Sequence, residues 1–175
     1  TDVDKQTNLN KKYAFESFVV GSNNELAHAA AMRVTKELGK LYNPLFLYGG
    51  VCLGKTHLLQ AIGNKVSAEN KDRKVLYISA ERLTADIVEA IGNNTIDELK
   101  NRYAKLDLLM IDDIQFIAGK TKTQEIVFST FNELYGKNKQ ILLSSDRPPQ
   151  AIPAIEERLR SRFQGGMIAD VGAPD

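Results

Sequence analysis

The chain carries a single cysteine, Cys52, so no internal disulfide can hold it together. It has no signal-like N-terminus and no apolar stretch of roughly 18 residues, the length that a membrane-crossing helix needs. These absences lead to the expectation of a cytoplasmic, soluble protein with no membrane span. Net charge is also missing, since 23 basic and 22 acidic side chains leave a formal +1. A broad electrostatic footprint for nucleic acid is thereby excluded, and any contact with DNA or RNA has to come from a local cluster. Internal repeats and low-complexity tracts are lacking too. What is present is 43% apolar content over 175 residues, enough for one α/β domain with its own core and short for two.

Residues 1–12 are polar and aperiodic, which predicts a flexible, solvated lead-in to an ordered core at 13–175. Tyr13, Phe15, Phe18, Val19 and Val20 form an aromatic and apolar cluster. Gly21 and Ser22-Asn23-Asn24 supply a turn and a helix cap, and 25–38 reads as a helix closed by Gly39. Short apolar runs follow at 45–48, 75–79, 108–111 and 141–145, with a weaker one at 167–171. Between them, 58–66, 83–91, 96–106, 123–135 and 155–163 carry apolar residues at helical spacing. The order is therefore β-α repeated, and the expected fold is α/β with a five-stranded, mostly parallel sheet sandwiched by helices. Two helices, broken at Gly92-Asn93-Asn94, lie between the second and third strands as an inserted pair.

Between the first strand and the helical pattern that begins at Lys55 stands Gly49-Gly50-Val51-Cys52-Leu53-Gly54-Lys55-Thr56, which fits G-x-x-x-x-G-K-[ST]. Such a loop turns backbone N–H groups inward, and the helix after it adds its positive end, so a polyphosphate meets donors before any side chain acts. Lys55 reaches the outer phosphates in that pattern, and Thr56 offers its hydroxyl to Mg²⁺. Leu108-Leu109-Met110-Ile111-Asp112-Asp113 is an apolar strand ending in two acids at the C-terminal edge of a parallel sheet, where α/β ligands bind. Asp112 is the candidate to hold Mg²⁺, and Asp113 the one to orient or deprotonate an attacking water. The fourth strand ends in Ser144-Ser145-Asp146 and is stopped by Pro148-Pro149, which aims Asp146 at the same edge. Farther on, Arg158 and Arg162 share a helix face at i, i+4; a planar guanidinium there suits a neighbouring subunit's γ-phosphate.

With these motifs in place the chain resembles the AAA+ ATPase domain of the bacterial replication initiator family DnaA. The resemblance runs from about Tyr13 to Asp175, through Phe18-Val19-Val20-Gly21, Tyr42-Asn43-Pro44-Leu45-Phe46, Gly54-Lys55-Thr56-His57, Ile111-Asp112-Asp113-Ile114-Gln115-Phe116, Phe131-Asn132-Glu133-Leu134, Ser144-Ser145-Asp146-Arg147-Pro148-Pro149 and Arg158-Leu159-Arg160-Ser161-Arg162-Phe163. It implies a P-loop NTPase that binds ATP or ADP with Mg²⁺, hydrolyses slowly and uses ATP mainly as an assembly switch, forming a helical filament on single-stranded origin DNA. By matching positions it implies nucleotide contacts from Gly50, Val51, Cys52, Leu53, Gly54, Lys55, Thr56 and His57, with the base near Val20 and Gly21. Asp146 matches the family's first sensor, Arg162 the arginine finger acting on a neighbour's ATP, and Arg158 the other arginine of that interface. The inserted helices match the initiator-specific wedge, and Val88, Lys120 and Lys122 match its single-strand contacts. Cys52 stands where the family usually has glycine. The family continues beyond Val171-Gly172-Ala173-Pro174-Asp175 into a helical lid and a duplex-binding domain, so these residues are expected to be the core without either. Three other readings compete: a helicase loader or regulatory AAA+ paralogue, a P-loop phosphotransferase, and a platform for replication regulators.

Overall fold

Each apolar run forms a strand: β1 (Leu45–Tyr48), β2 (Val75–Ser79), β3 (Leu108–Asp112), β4 (Gln140–Ser145) and β5 (Met167–Asp170). In the computed structural model, which describes residues 3–50 and 52–172, they make one sheet in the order β2-β3-β4-β1-β5. Every pairing is parallel. Parallel strands joined by crossover helices are covered on both faces, which is why the runs read as continuous apolar stretches. The two-residue period still sorts their side chains. Phe46, Leu109, Ile111, Ile141 and Leu143 enter one core layer, while Leu45, Leu47, Leu108, Met110 and Leu142 enter the other.

The second layer is closed by α1 (Glu25–Lys36) and α2 (Cys52–Glu69) through Ala27, Ala31, Val34, Leu58, Leu59 and Ile62. The first is closed by α3 (Ala80–Gly92), α4 (Ile96–Ala104), α5 (Thr121–Gly136) and α6 (Glu157–Phe163) through Leu83, Ile87, Leu99, Phe131, Leu159 and Phe163. Both α3 and α4 lie between β2 and β3, as the inserted pair was expected to, and Asn94 makes the break in a left-handed conformation (φ 57°). Strand ends are aligned as well. Tyr48 stands opposite Ser145, and Ser79 opposite Asp112, so the loops that follow β1, β3 and β4 gather at one edge.

Three expectations are corrected. Helix α2 begins at Cys52 rather than Lys55, which puts Gly54, Lys55 and Thr56 within its first turns. Asn24 does not cap α1 with its side chain; its amide accepts from Gly21 N (2.9 Å) and donates to Val19 O (3.1 Å), bracing the preceding turn instead.

The third concerns the lead-in, which from residue 3 onward is packed on the domain. Leu9 is 2% exposed and reaches the layer beneath α2. Gly63 makes room for it, since a Cβ there would stand 2.8 Å from Leu9 and 2.6 Å from Met110. Around Leu9 the anchoring is polar: Asn10 N donates to Gln60 Oε1 (2.7 Å), Asn64 Nδ2 to the carbonyls of Asn10 and Tyr13 (3.0 and 2.8 Å), and Tyr77 N to Thr7 O (2.9 Å). A hydropathy reading counts apolar side chains and misses a segment that is held by backbone groups pairing with an edge strand and with amides of α2.

Candidate functional site

The strand-to-helix loop is tied to its neighbours before it reaches α2. Gly49 lies at φ 152°, a region that favours glycine, and a Cβ there would overlap the Val171 carbonyl. Its N–H donates to Ser145 O (3.2 Å). Lys55 is buried, and its ammonium donates to the carbonyls of Gly49 and Ser145, the latter at 3.0 Å. Its charge is thus held at the sheet edge by carbonyl dipoles, at the positive end of the 18-residue α2. Val51, with the side chains of Cys52 and Leu53, lies outside the described residues, and so do the contacts expected of them.

Asp112 ends β3 with its carboxylate buried and surrounded by hydroxyls. Thr56 Oγ1 (2.6 Å) and the Tyr77 hydroxyl donate to Oδ2, and Ser144 Oγ donates to Oδ1. Burial, and then the Asp112 charge beside it, push the Tyr77 phenol well above its usual range, so it stays a proton donor. This arrangement fits Mg²⁺. By giving its proton to Asp112, Thr56 keeps its oxygen lone pairs available, and hard oxygen ligands suit that ion. Among the described residues no group of three or more His, Cys, Asp and Glu could form an all-protein cage.

Asp113 follows in the left-handed region (φ 58°, ψ 50°), its N–H donating to Ser144 Oγ (2.8 Å). Desolvation, and next the charge of Asp112, raise its pKa above the ordinary carboxylate value. Because the folded-state pKa is raised, the unfolded chain ionises first, and a penalty on folding grows as pH rises past the unfolded value and is complete above the folded one. Asn tolerates the left-handed backbone. Asp113→Asn is therefore expected to raise the melting temperature at pH 7 and to leave it unchanged near pH 3. Thermal melts at the two pH values read the difference directly, and an equal gain at both would rule out the charge as its cause.

Asp146 reaches the same edge but is engaged on the surface. Arg147 grips it through two bonds (2.8 and 2.9 Å), and that contact holds its pKa below the usual range. Gln115, which has no role in the sequence reading, accepts from Asp146 N (3.3 Å), and its side chain opposes the rise in the Asp113 pKa. His57 Nε2 pairs with Ala14 O (2.8 Å) and Ser17 Oγ (3.2 Å), and its ring packs on Tyr13 and Phe18. Its side chain thus braces the 13–18 segment. Val19 and Val20 are exposed, against the expectation that they join the aromatic cluster. The turn that carries Val20 and Gly21 is tied to the chain after β5 by Gly172 N donating to Asn23 O (3.1 Å).

The arginines lie on α6 against α5. Arg158 and Arg162 share the face that the spacing gave, with Phe128 between them: the guanidinium carbons are 4.3 and 5.7 Å from its ring centre. Arg162 Nε also donates to Asn132 Oδ1 (2.9 Å), and Arg158 pairs with Glu156 (3.0 Å). Phe128 was missed because an aromatic at helical spacing reads as core. Among the described residues, neither arginine bonds to the Lys55, Thr56 and Asp112 group. On α3, Val88 is 63% exposed. Lys120, just before α5, folds onto Phe116, with its ammonium 4.2 Å from the ring centre and donating to Phe116 O (3.0 Å). Lys122 pairs with Glu125 (3.2 Å) on the surface.

The family described as the bacterial DnaA ATPase domain matches residues 9–170. The chain belongs to that family. The chromosomal replication initiator protein DnaA of Herpetosiphon aurantiacus is 57% identical over 174 residues, which is 99% of this chain and 37% of that protein. The chain thus spans just over a third of this DnaA relative's length. Domain III of the Thermotoga maritima replication initiation protein DnaA matches with a TM-score of 0.93 and 49% identity, over 97% of this chain and 70% of that one. A replication initiator DnaA solved with AMPPCP and single-stranded DNA gives 0.88 and 46%, over 93% and 50%. Membership of the DnaA ATPase domain family decides against the loader and phosphotransferase readings. No helix of the described residues is long and apolar enough to cross a membrane.

Proposed function

We propose that this domain binds ATP and ADP with Mg²⁺ at the C-terminal edge of the sheet, and that in the longer protein ATP drives self-association on single-stranded origin DNA and opening of the origin. The observation that carries the reading is the meeting of Lys55, Thr56 and Asp112 at the head of α2. Lys55 leaves its carbonyl partners for the outer phosphates. Thr56 and Asp112 would hold Mg²⁺, which when bound neutralises phosphate charge. Asp113, made more basic by its surroundings, orients or accepts a proton from the attacking water in a slow hydrolysis that resets the switch. Val20 and Gly21 flank the base.

Arg162 and Arg158, kept side by side by Phe128, act on a neighbouring subunit's ATP, and α3 with α4 forms the wedge that turns the assembly into a helical filament. Val88, Lys120 and Lys122 contact the single strand, with Phe116 beside them; replication regulators act on these same assembly faces. Equilibrium binding of labelled ATP and ADP to the chain, with and without Mg²⁺, tests the core of the reading, and absence of binding would sink it. For DNA, the double variant Lys120→Glu, Lys122→Glu is expected to lower affinity for a single-stranded oligonucleotide about tenfold at low salt. Its nucleotide affinity should stay at the parent value.

A further inference from the structure

We infer that Tyr77 is a positioning residue for the Asp112 carboxylate, and that residues 7–10 form a strap that sets Tyr77 and so couples the N-terminal segment to the metal side of the nucleotide site. This rests on the nucleotide reading above. Tyr77 lies on β2, an edge strand, with Met110 of β3 opposite on one side. On the other side its main chain is taken up by the strap: Tyr77 N donates to Thr7 O (2.9 Å), and Asn8 Nδ2 donates to Tyr77 O (2.9 Å). Both backbone groups of this one residue are therefore fixed by residues 7 and 8. Its hydroxyl reaches across to Asp112 Oδ2, the oxygen that Thr56 also uses.

The strap is itself a closed unit. Asn8 N and Asp4 N form a reciprocal turn with Asp4 O and Leu9 O (2.7 and 2.8 Å), and Val3 bridges Asn10 in antiparallel fashion. Its other side grips α2, the helix that carries Lys55 and Thr56, through Asn10 on Gln60 (2.7 Å), Asn64 on Asn10 (3.0 Å) and Leu9 above Gly63. The strap thus holds at once the helix that supplies Thr56 and the strand residue that orients Asp112. A carboxylate that keeps a fixed donor on Oδ2 needs no rotation to meet a metal-bound water. Without that donor it is free to turn about its own bond, and outer ligand partners of this kind govern metal affinity strongly.

The test is the ratio of ADP affinity with Mg²⁺ to that without it, measured on the chain and its variants. Tyr77→Phe keeps the ring and removes only the hydroxyl; the ratio is expected to fall about tenfold, with Mg²⁺-free affinity unchanged. Leu9→Ala and, with less risk to folding, Asn8→Ala should lower the ratio in the same direction. Placed in the Tyr77→Phe background, Asn8→Ala should have no further effect on it, because residue 8 acts through that hydroxyl, whereas Leu9→Ala keeps whatever part it exerts through α2. An unchanged ratio in Tyr77→Phe, or equal losses from Asn8→Ala in both backgrounds, overturns the inference while leaving the nucleotide reading intact. A parent chain that binds no ADP overturns both.

Discussion

Lys55→Met is expected to lower affinity for ATP and ADP about 100-fold, roughly 2.7 kcal/mol, while leaving the ligand-free chain within about 1 kcal/mol of the parent in stability. The two halves of this result have different origins. The Lys55 ammonium is buried against the Gly49 and Ser145 carbonyls, and among the described residues no carboxylate is in hydrogen-bond contact with it. Two charge-assisted bonds stabilise it by about 1.5–3 kcal/mol each, and desolvation of the charge costs about as much. Methionine fills the same stem volume without the charge, so gain and loss cancel. Phosphates change the balance, because the anionic oxygens of the ligand then lose the buried cation that meets them. Calorimetric titration with ADP and a thermal melt on the same sample separate the two. A melt lowered by several kcal/mol would make Lys55 a structural cation, and unimpaired binding would put the phosphates elsewhere.

Arg160→Ala is the second large effect, and it falls on stability. Three arginines stand on one short helix, yet only Arg160 is turned inward, its side chain 15% exposed. Its guanidinium donates to the carbonyls of Pro149, Ile152 (2.9 Å) and Ile155 (3.3 Å); the first also accepts from Ile152 N (3.3 Å), while for the other two Arg160 is the hydrogen-bond partner. Removing it leaves buried acceptors unpaired, and the expected loss is about 3 kcal/mol, or a melting temperature lower by roughly 6–12 °C in a domain of this size. Arg158→Ala and Arg162→Ala, whose hydrogen bonds lie at the surface, should each change stability by less than about 1 kcal/mol. Denaturant midpoints for the three variants decide the matter; equal losses would show that all three serve the fold.

That contrast marks what can be read from sequence. Every strand was legible because parallel strands covered on both faces leave continuous apolar runs, and Gly54-Lys55-Thr56 and Asp112-Asp113 were legible because their spacing is demanded by phosphate and metal chemistry. Arg160 was not, since i, i+4 spacing identifies a face of α6 but not the carbonyls of 149–155 that curl over its other side. Tyr77 was hidden for a similar reason: in Val75-Leu76-Tyr77-Ile78-Ser79 it looks like one more apolar ring, and only the register of β2 beside β3 brings its hydroxyl to Asp112. The part that His57 plays in holding the 13–18 segment was hidden too, because Ala14 and Ser17 are some 40 residues away in sequence. Residues 3–12 were misjudged because their anchors are main-chain groups and distant amides, which leave no pattern in composition.

The last two residues of β4 have a consequence for the arginines. Ser145 O receives both Lys55 and the Gly49 N–H, and Ser144 Oγ lies between the Asp112 carboxylate and the Asp113 N–H. Two adjacent residues thus touch both the loop after β1 and the acids that end β3, and the same stretch of chain runs on through Arg147 and the proline turn to α6. On the nucleotide reading proposed above, a ligand that draws Lys55 off the Ser145 carbonyl acts on the very stretch of polypeptide that leads to Arg158 and Arg162.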